Sequence, residues 1–171
     1  MSNFTEELKK MHVFFTKHKL SLTTAESCTG GFISKSITDF SGSSKYYKGS
    51  IIAYSNEVKI NLLGISEDLL QTHGAVSERV SIEMASGLLR VLKSDVALSV
   101  TGIMEKNDDY SRKEPQVFIT VKSAHNQTTS FYELNGNRED NREKTVYFAF
   151  NCLTDFINKN YLLSWIIQKF T

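Results

Sequence analysis

Apolar positions along this chain alternate between two spacings, and each change of spacing marks the edge of an element. Leu8, Met11, Phe14 and Phe15 recur at i, i+3 and i+4, which predicts an amphipathic helix over Thr5 to Leu20. A strand is predicted over Leu20 to Ala25. Helical spacing returns over Thr29 to Phe40, with Phe32, Ile33, Ile37 and Phe40 on one face. Ser41-Gly42-Ser43-Ser44 reads as a loop. Gly49 to Ser55 is an apolar run of the length expected of a buried strand. Glu57 to Leu63 predicts a short helix closed by Gly64. Ser66 is placed to cap another short helix, and Ser77 to cap a longer one carrying Val80, Met84, Leu88 and Leu92.

Asp95 to Thr101 predicts a second buried strand, ending against Gly102. Val117, Ile119 and Val121 alternate within Gln116 to Val121, and Thr128 to Leu134 is predicted to pair with that run through a hairpin at Ala124 to Gln127. Arg138 to Lys159 closes the pattern as a long helix with Val146, Phe150, Leu153 and Ile157. The apolar segment Tyr161 to Ile167 is expected to dock on the domain's own core or on a second copy. Helices alternating with strands, followed by a hairpin, predict one domain over residues 1–171: a three-layer α/β/α sandwich with a mixed β-sheet. Ligands bind such sheets beyond the carboxyl ends of strands. Ser27, Ser55 and Gly102 each follow a predicted strand, so they are expected to meet in one crevice.

Composition narrows the partners. The chain has 171 residues, enough for one core without disulfides or metal, and a net charge of +1. That balance implies no field-driven attraction to nucleic acid or to a membrane surface. No apolar run approaches a membrane span. Cys28 and Cys152 lie too far apart to suggest a disulfide framework or a metal cluster. Met1 to Lys10 is polar and lacks the pattern of a signal peptide, so the cytoplasm is the expected compartment.

The candidate chemistry is concentrated in Thr24-Ala25-Glu26-Ser27-Cys28-Thr29-Gly30-Gly31. A hydroxyl, a thiol, a carboxylate and two glycines share one strand-to-helix turn. Ser27 stands where a nucleophile on such a turn would stand. Gly30 and Gly31 permit close backbone approach, and amides at a helix start can hold an anion. Ser, Thr and Gly are equally ordinary capping residues. Lys59 falls one helical turn past Ser55 and can point back toward the crevice. A desolvated lysine there is able to serve as base to a serine, although a lysine on a helix is more commonly solvated. Tyr54 is either a hydrogen-bond donor, a stacking ring or a core residue. Cys28 is a rival nucleophile but is expected to turn into the core. His73-Gly74 reads as a structural joint before the Ser77 cap, and Thr101-Gly102 as either pocket lining or a plain strand exit.

Taken in order, Ala25-Glu26-Ser27-Cys28-Thr29-Gly30-Gly31, Gly42-Ser43-Ser44, Tyr54-Ser55-Asn56 with Lys59, His73-Gly74-Ala75-Val76-Ser77-Glu78 and Thr101-Gly102-Ile103 resemble the CinA C-terminal domain family, which includes PncC-type nicotinamide-nucleotide amidases. The resemblance implies an α/β/α fold and hydrolysis of the carboxamide of nicotinamide mononucleotide to nicotinic acid mononucleotide and ammonia. It implies Ser27 as nucleophile with Lys59 and Tyr54 as its catalytic companions, no metal or organic cofactor, a small-molecule nucleotide substrate and a homo-oligomer. Glu26, Thr29, Gly30, Gly31, Ser55, Asn56, Thr101 and Gly102 are expected to line the substrate site. Amides near Thr29 to Gly31 would hold the oxyanion or the phosphate, and Arg138 or Arg142 would meet the 5′-phosphate through a forked contact.

The chain departs from the family after Ile103. Where the family carries a glycine- and proline-rich loop, this chain reads Met104-Glu105-Lys106-Asn107-Asp108-Asp109-Tyr110. Asn137 stands in place of the family aspartate before the last helix. Bulkier, acidic residues change the shape and potential of that loop. Two other readings share the motifs: an amidase for a different carboxamide, and a catalytically silent nucleotide-binding or interaction domain.

Overall fold

The computed structural model describes residues 2–106 and 114–162. Helix α1 (Ser2–His18) leads into strand β1 (Leu22–Glu26), helix α2 (Phe32–Thr38) and strand β2 (Tyr47–Ile52). Helices α3 (Asn56–Leu63), α4 (Glu67–His73) and α5 (Glu78–Leu92) follow. Strands β3 (Val96–Ile103), β4 (Gln116–Ser123) and β5 (Gln127–Glu133) precede the long helix α6 (Arg138–Ile157). The sheet order is β2-β1-β3-β4-β5. β1 runs parallel to both β2 and β3, and β3-β4 and β4-β5 are antiparallel. This is the mixed three-layer sandwich that the alternation predicts.

Two apolar clusters fill the two spaces beside the sheet. Leu8, Met11 and Phe15 of α1 and Val146, Phe150 and Leu153 of α6 meet the Leu22, Leu98, Val100 and Ile119 face. Leu63, Val80, Met84 and Leu88 meet the opposite face at Ala25 and Ala97. Tyr161 closes on the first cluster through an edge contact with Phe14 at 5.9 Å. The remainder of the apolar terminal segment, from Leu163, and the charged stretch Asn107 to Lys113 lie outside the described residues.

The helix signals act as capping chemistry requires. Ser66 accepts from the Leu69 amide and Ser77 from the Val80 amide, and Gly64 ends α3 with φ of 69°. Two expectations are corrected. The helix predicted from Thr29 begins only at Phe32, because Gly30 and Gly31 hold φ of 61° and 98°, outside the helical region. The strand predicted as buried over Gly49 to Ser55 is β2, the edge of the sheet, ending at Ile52, which is 48% exposed. An apolar run of that length has the same sequence appearance at an edge as in the centre.

Helix α5 approaches α3 closely at Gly87. A Cβ there would fall on the Leu63 carbonyl oxygen and 2.9 Å from the Leu63 Cβ. Backbone cannot yield as a side-chain tip can, so the helices must separate. Gly87→Ala is expected to destabilise the fold by about 2–3 kcal/mol despite alanine's better helix propensity. Urea denaturation checks this, and an unchanged or raised midpoint would contradict the packing.

Candidate active site

The carboxyl end of β1 is extended by one residue, because the Ser27 amide donates to the Val100 carbonyl at 3.0 Å. That bond fixes Ser27 on the rim of the sheet between β2 and β3. Lys59 arrives from the other side of the crevice. Ser55 caps α3 by accepting from the Val58 amide, which places Lys59 one turn into the helix on its inward face. Its Nζ donates to the Ala53 carbonyl at 2.7 Å and lies 3.2 Å from Ser27 Oγ. Lys59 is 1% exposed, and neither of these partners is a carboxylate. Burial therefore holds its pKa below the ordinary 10.5, with the neighbouring Cys28 sulfur opposing that effect.

The depressed pKa makes stability depend on pH with a definite sign. Between the lowered folded-state value and 10.5, the unfolded chain binds more protons at this site than the folded chain. The contribution of Lys59 to stability therefore rises with pH through that window. Lys59→Met removes this rise. Denaturation of both proteins across the alkaline range is expected to show the stability of the variant relative to the parent falling as pH approaches 10.5; parallel curves would contradict the burial argument.

Cys28 is buried, and burial pushes its thiol up to about 12. It stays a thiol near neutral pH, where only the thiolate attacks efficiently. It belongs to the α1–α6 core cluster, as expected, but it also borders the cleft beside Ser27, so the expectation that it leaves the crevice holds only in part.

A cleft of about 350 Å³ opens over Ser27 and Lys59. Its β2–α3 wall carries Tyr54, Ser55 and Asn56. Its floor is Thr101 and Gly102 at the end of β3, and Arg138 enters from the start of α6. The three strand ends thus converge as the pattern predicts. Tyr54 is exposed, not core, and its hydroxyl accepts from Arg138 Nη2 at 3.0 Å. Thr101 is buried and donates through Oγ1 to the Ala75 carbonyl at 2.8 Å, pinning the α4–α5 joint as the fourth wall. His73 ends α4 on the exposed surface, outside the cleft, in keeping with a structural joint.

Five of the residues expected to line a substrate site, Glu26, Thr29, Gly30, Gly31 and Arg142, do not line this cleft. Glu26 is fully buried and accepts five hydrogen bonds: from the Thr29 and Ser34 hydroxyls and from the amides of Gly31, Ile33 and Ser34, at 2.8–3.0 Å. It is the anion held at the start of α2, a position that sequence alone leaves open to a ligand. The same network engages the Thr29 hydroxyl and the Gly31 amide, and the Gly30 amide donates to the Ser27 carbonyl at 3.2 Å. Gly30 and Gly31 border a separate groove with Arg142, whose Nη2 donates to the Thr29 carbonyl at 2.7 Å. The amides of Cys28 and Thr29 make no backbone–backbone bond among the described residues and face the Cys28 sulfur.

Glu105 also lines the cleft, 3.1 Å from Arg138 Nη1, and was not singled out by the sequence pattern. Its signal is slight: the first charge after the β3 exit. Among the described residues no helix is long and apolar enough to cross a membrane, and no three His, Cys, Asp or Glu side chains cluster as metal ligands.

Comparison with known proteins places this geometry among relatives. The profile of the CinA C-terminal domain matches residues 5–157. A CinA-like protein of Endomicrobium trichonymphae is 42% identical over 139 residues, covering 80% of this chain and 32% of that protein. The chain thus spans about a third of the length of that curated relative. The nicotinamide-nucleotide amidohydrolase PncC of Shigella flexneri is 38% identical over 136 residues, covering 78% of this chain and 82% of the relative. Among solved structures, a competence or damage-inducible protein of Enterobacter asburiae superposes with a TM-score of 0.84 at 28% identity, over 90% of this chain and 98% of that one.

Proposed function

Since the chain belongs to the CinA C-terminal domain family, we propose that it is an amidohydrolase that converts nicotinamide mononucleotide to nicotinic acid mononucleotide and ammonia with Ser27 as nucleophile and Lys59 as base. One observation carries the reading: a buried lysine amine, with no carboxylate partner among the described residues, stands 3.2 Å from a serine oxygen at the bottom of a cleft. The shared ancestry with a protein named for this activity supports the substrate.

The Ala53 carbonyl takes one N–H of Lys59, which leaves the lone pair of the neutral amine free to face the serine hydroxyl. Lys59 accepts the Ser27 proton as Oγ forms a bond to the carboxamide carbon. The tetrahedral oxygen is assigned to the amides of Cys28 and Thr29. Lys59 then delivers the proton to the departing nitrogen, the C–N bond breaks and ammonia leaves. Water, losing a proton to the neutral Lys59, cleaves the acyl-serine ester, and the proton returns to Oγ. Ser55 and Asn56 border the bound ring, and Arg138, with Tyr54 beside it, receives the 5′-phosphate at the mouth. Gly102 admits no side chain, since a Cβ there would meet the Gln116 carbonyl oxygen of β4 at 2.6 Å. The homo-oligomer implied by the resemblance and the cytoplasmic setting expected from the sequence belong to the same proposal, and light scattering on the purified chain tests the former.

The deciding assay is ammonia release from nicotinamide mononucleotide. The parent is expected to release it, and Lys59→Met to lower kcat by at least about 10³-fold, the scale of losing a general base. Stabilisation by the nucleotide without ammonia release would favour a binding domain instead. Release from other carboxamides alone would reassign the substrate.

A further inference from the structure

Among the described residues lining the cleft, two are basic, Lys59 and Arg138, and one is acidic, Glu105. Lys59 is buried with a depressed pKa and faces the serine, so Arg138 is the group left to meet an anion. Its two terminal nitrogens are already engaged: Nη1 with the Glu105 carboxylate at 3.1 Å and Nη2 with the Tyr54 hydroxyl at 3.0 Å. Three separate segments, the β2–α3 turn, the β3 exit and the start of α6, are thereby tied across the mouth. An arginine met by a carboxylate presents the same forked donors that a phosphate would take.

We propose that Glu105 is a specificity-determining residue, an intramolecular competitor that holds Arg138 and must yield it before a phosphate-bearing carboxamide can settle in the cleft. This rests on the cleft being the substrate site proposed above. Side chains at both ends of the ion pair are about half exposed, 45% for Arg138 and 51% for Glu105, so the pair can exchange partners readily. The competition lowers the preference for the phosphorylated substrate over the nucleoside that lacks the phosphate. Lys106 and Glu114, the nearest described charges on the same loop, pair with each other and leave Glu105 to Arg138.

The test compares nicotinamide mononucleotide with the nucleoside lacking the 5′-phosphate. In Glu105→Gln, the ratio of kcat/KM for the two substrates is expected to move about tenfold toward the phosphorylated one, through KM. In an Arg138→Met background, the same substitution is expected to move it less than about twofold, because the competitor has lost its object. An unchanged ratio in Glu105→Gln, or an equal gain with and without Arg138, overturns the proposal. Should neither substrate be turned over, the amidase reading fails separately, and calorimetric binding of nicotinamide mononucleotide to the same proteins decides this one. Tighter binding in Glu105→Gln that depends on Arg138 supports it; equal binding, or none in any protein, overturns it.

Discussion

Ser27→Ala is expected to cut ammonia release from nicotinamide mononucleotide by at least about 10³-fold while leaving the folded structure in place, since removing one member of a nucleophile–base pair removes the covalent route. The hydroxyl contributes one hydrogen bond at 3.2 Å, and Lys59 retains its shorter bond to the Ala53 carbonyl. The melting temperature should therefore change by only a few degrees, on the order of what 1 kcal/mol produces in a domain of this size. Steady-state ammonia release and a thermal melt on the same preparation check both halves. Retained turnover would move the nucleophile elsewhere. Cys28 would then be the residue to examine, although its thiol, pushed up to about 12, is poorly placed to supply a thiolate.

The second large effect concerns stability. Glu26→Ala is expected to cost about 3–5 kcal/mol, because the Thr29 hydroxyl and the Gly31, Ile33 and Ser34 amides would lose their acceptor, the Ser34 hydroxyl alone keeping a second one in the Gly31 carbonyl. For a chain whose net stability is on the order of 5–15 kcal/mol, that is a large fraction, equivalent to a fall in melting temperature of roughly 10 °C or more. Glu26→Gln tests the electrostatic content of the same site. It keeps one acceptor oxygen but turns an NH₂ group toward donors, so it too is expected to destabilise. A glutamine variant as stable as the parent would mean that the carboxylate's charge is not needed there. Catalysis should fall with either change, since the Thr29–Gly31 turn that Glu26 holds is continuous with Ser27.

Much of the fold could be read from local pattern. Ser66, Ser77 and Gly64 mark helix boundaries through hydrogen bonds made within a few residues, so each carries its own structural consequence. Val117, Ile119 and Val121 alternate because one face of β4 meets the α6 layer, and all three are buried. The edge position of β2 could not be read in the same way. It depends on which strands flank it, and an apolar run carries no record of its neighbours.

The site divides along the same line. Residue types and their order along the chain were enough to select Ser27, Lys59, Tyr54 and Thr101 as candidates, because strand ends in an open α/β sheet face one crevice whatever the remaining details. Side-chain engagement is a different matter, being settled by contacts between segments far apart in sequence. Thr29, Gly30 and Gly31 have the appearance of an anion site, yet Thr29 and Gly31 donate to the chain's own Glu26 carboxylate and the Gly30 amide to the Ser27 carbonyl. Arg138 and Arg142 are one helical turn apart and indistinguishable in composition, yet only Arg138 reaches the cleft, where Glu105, 33 positions earlier, already holds it. Hydrogen-bonding capacity is finite, and which partner uses it is decided only when folding brings the competitors within reach.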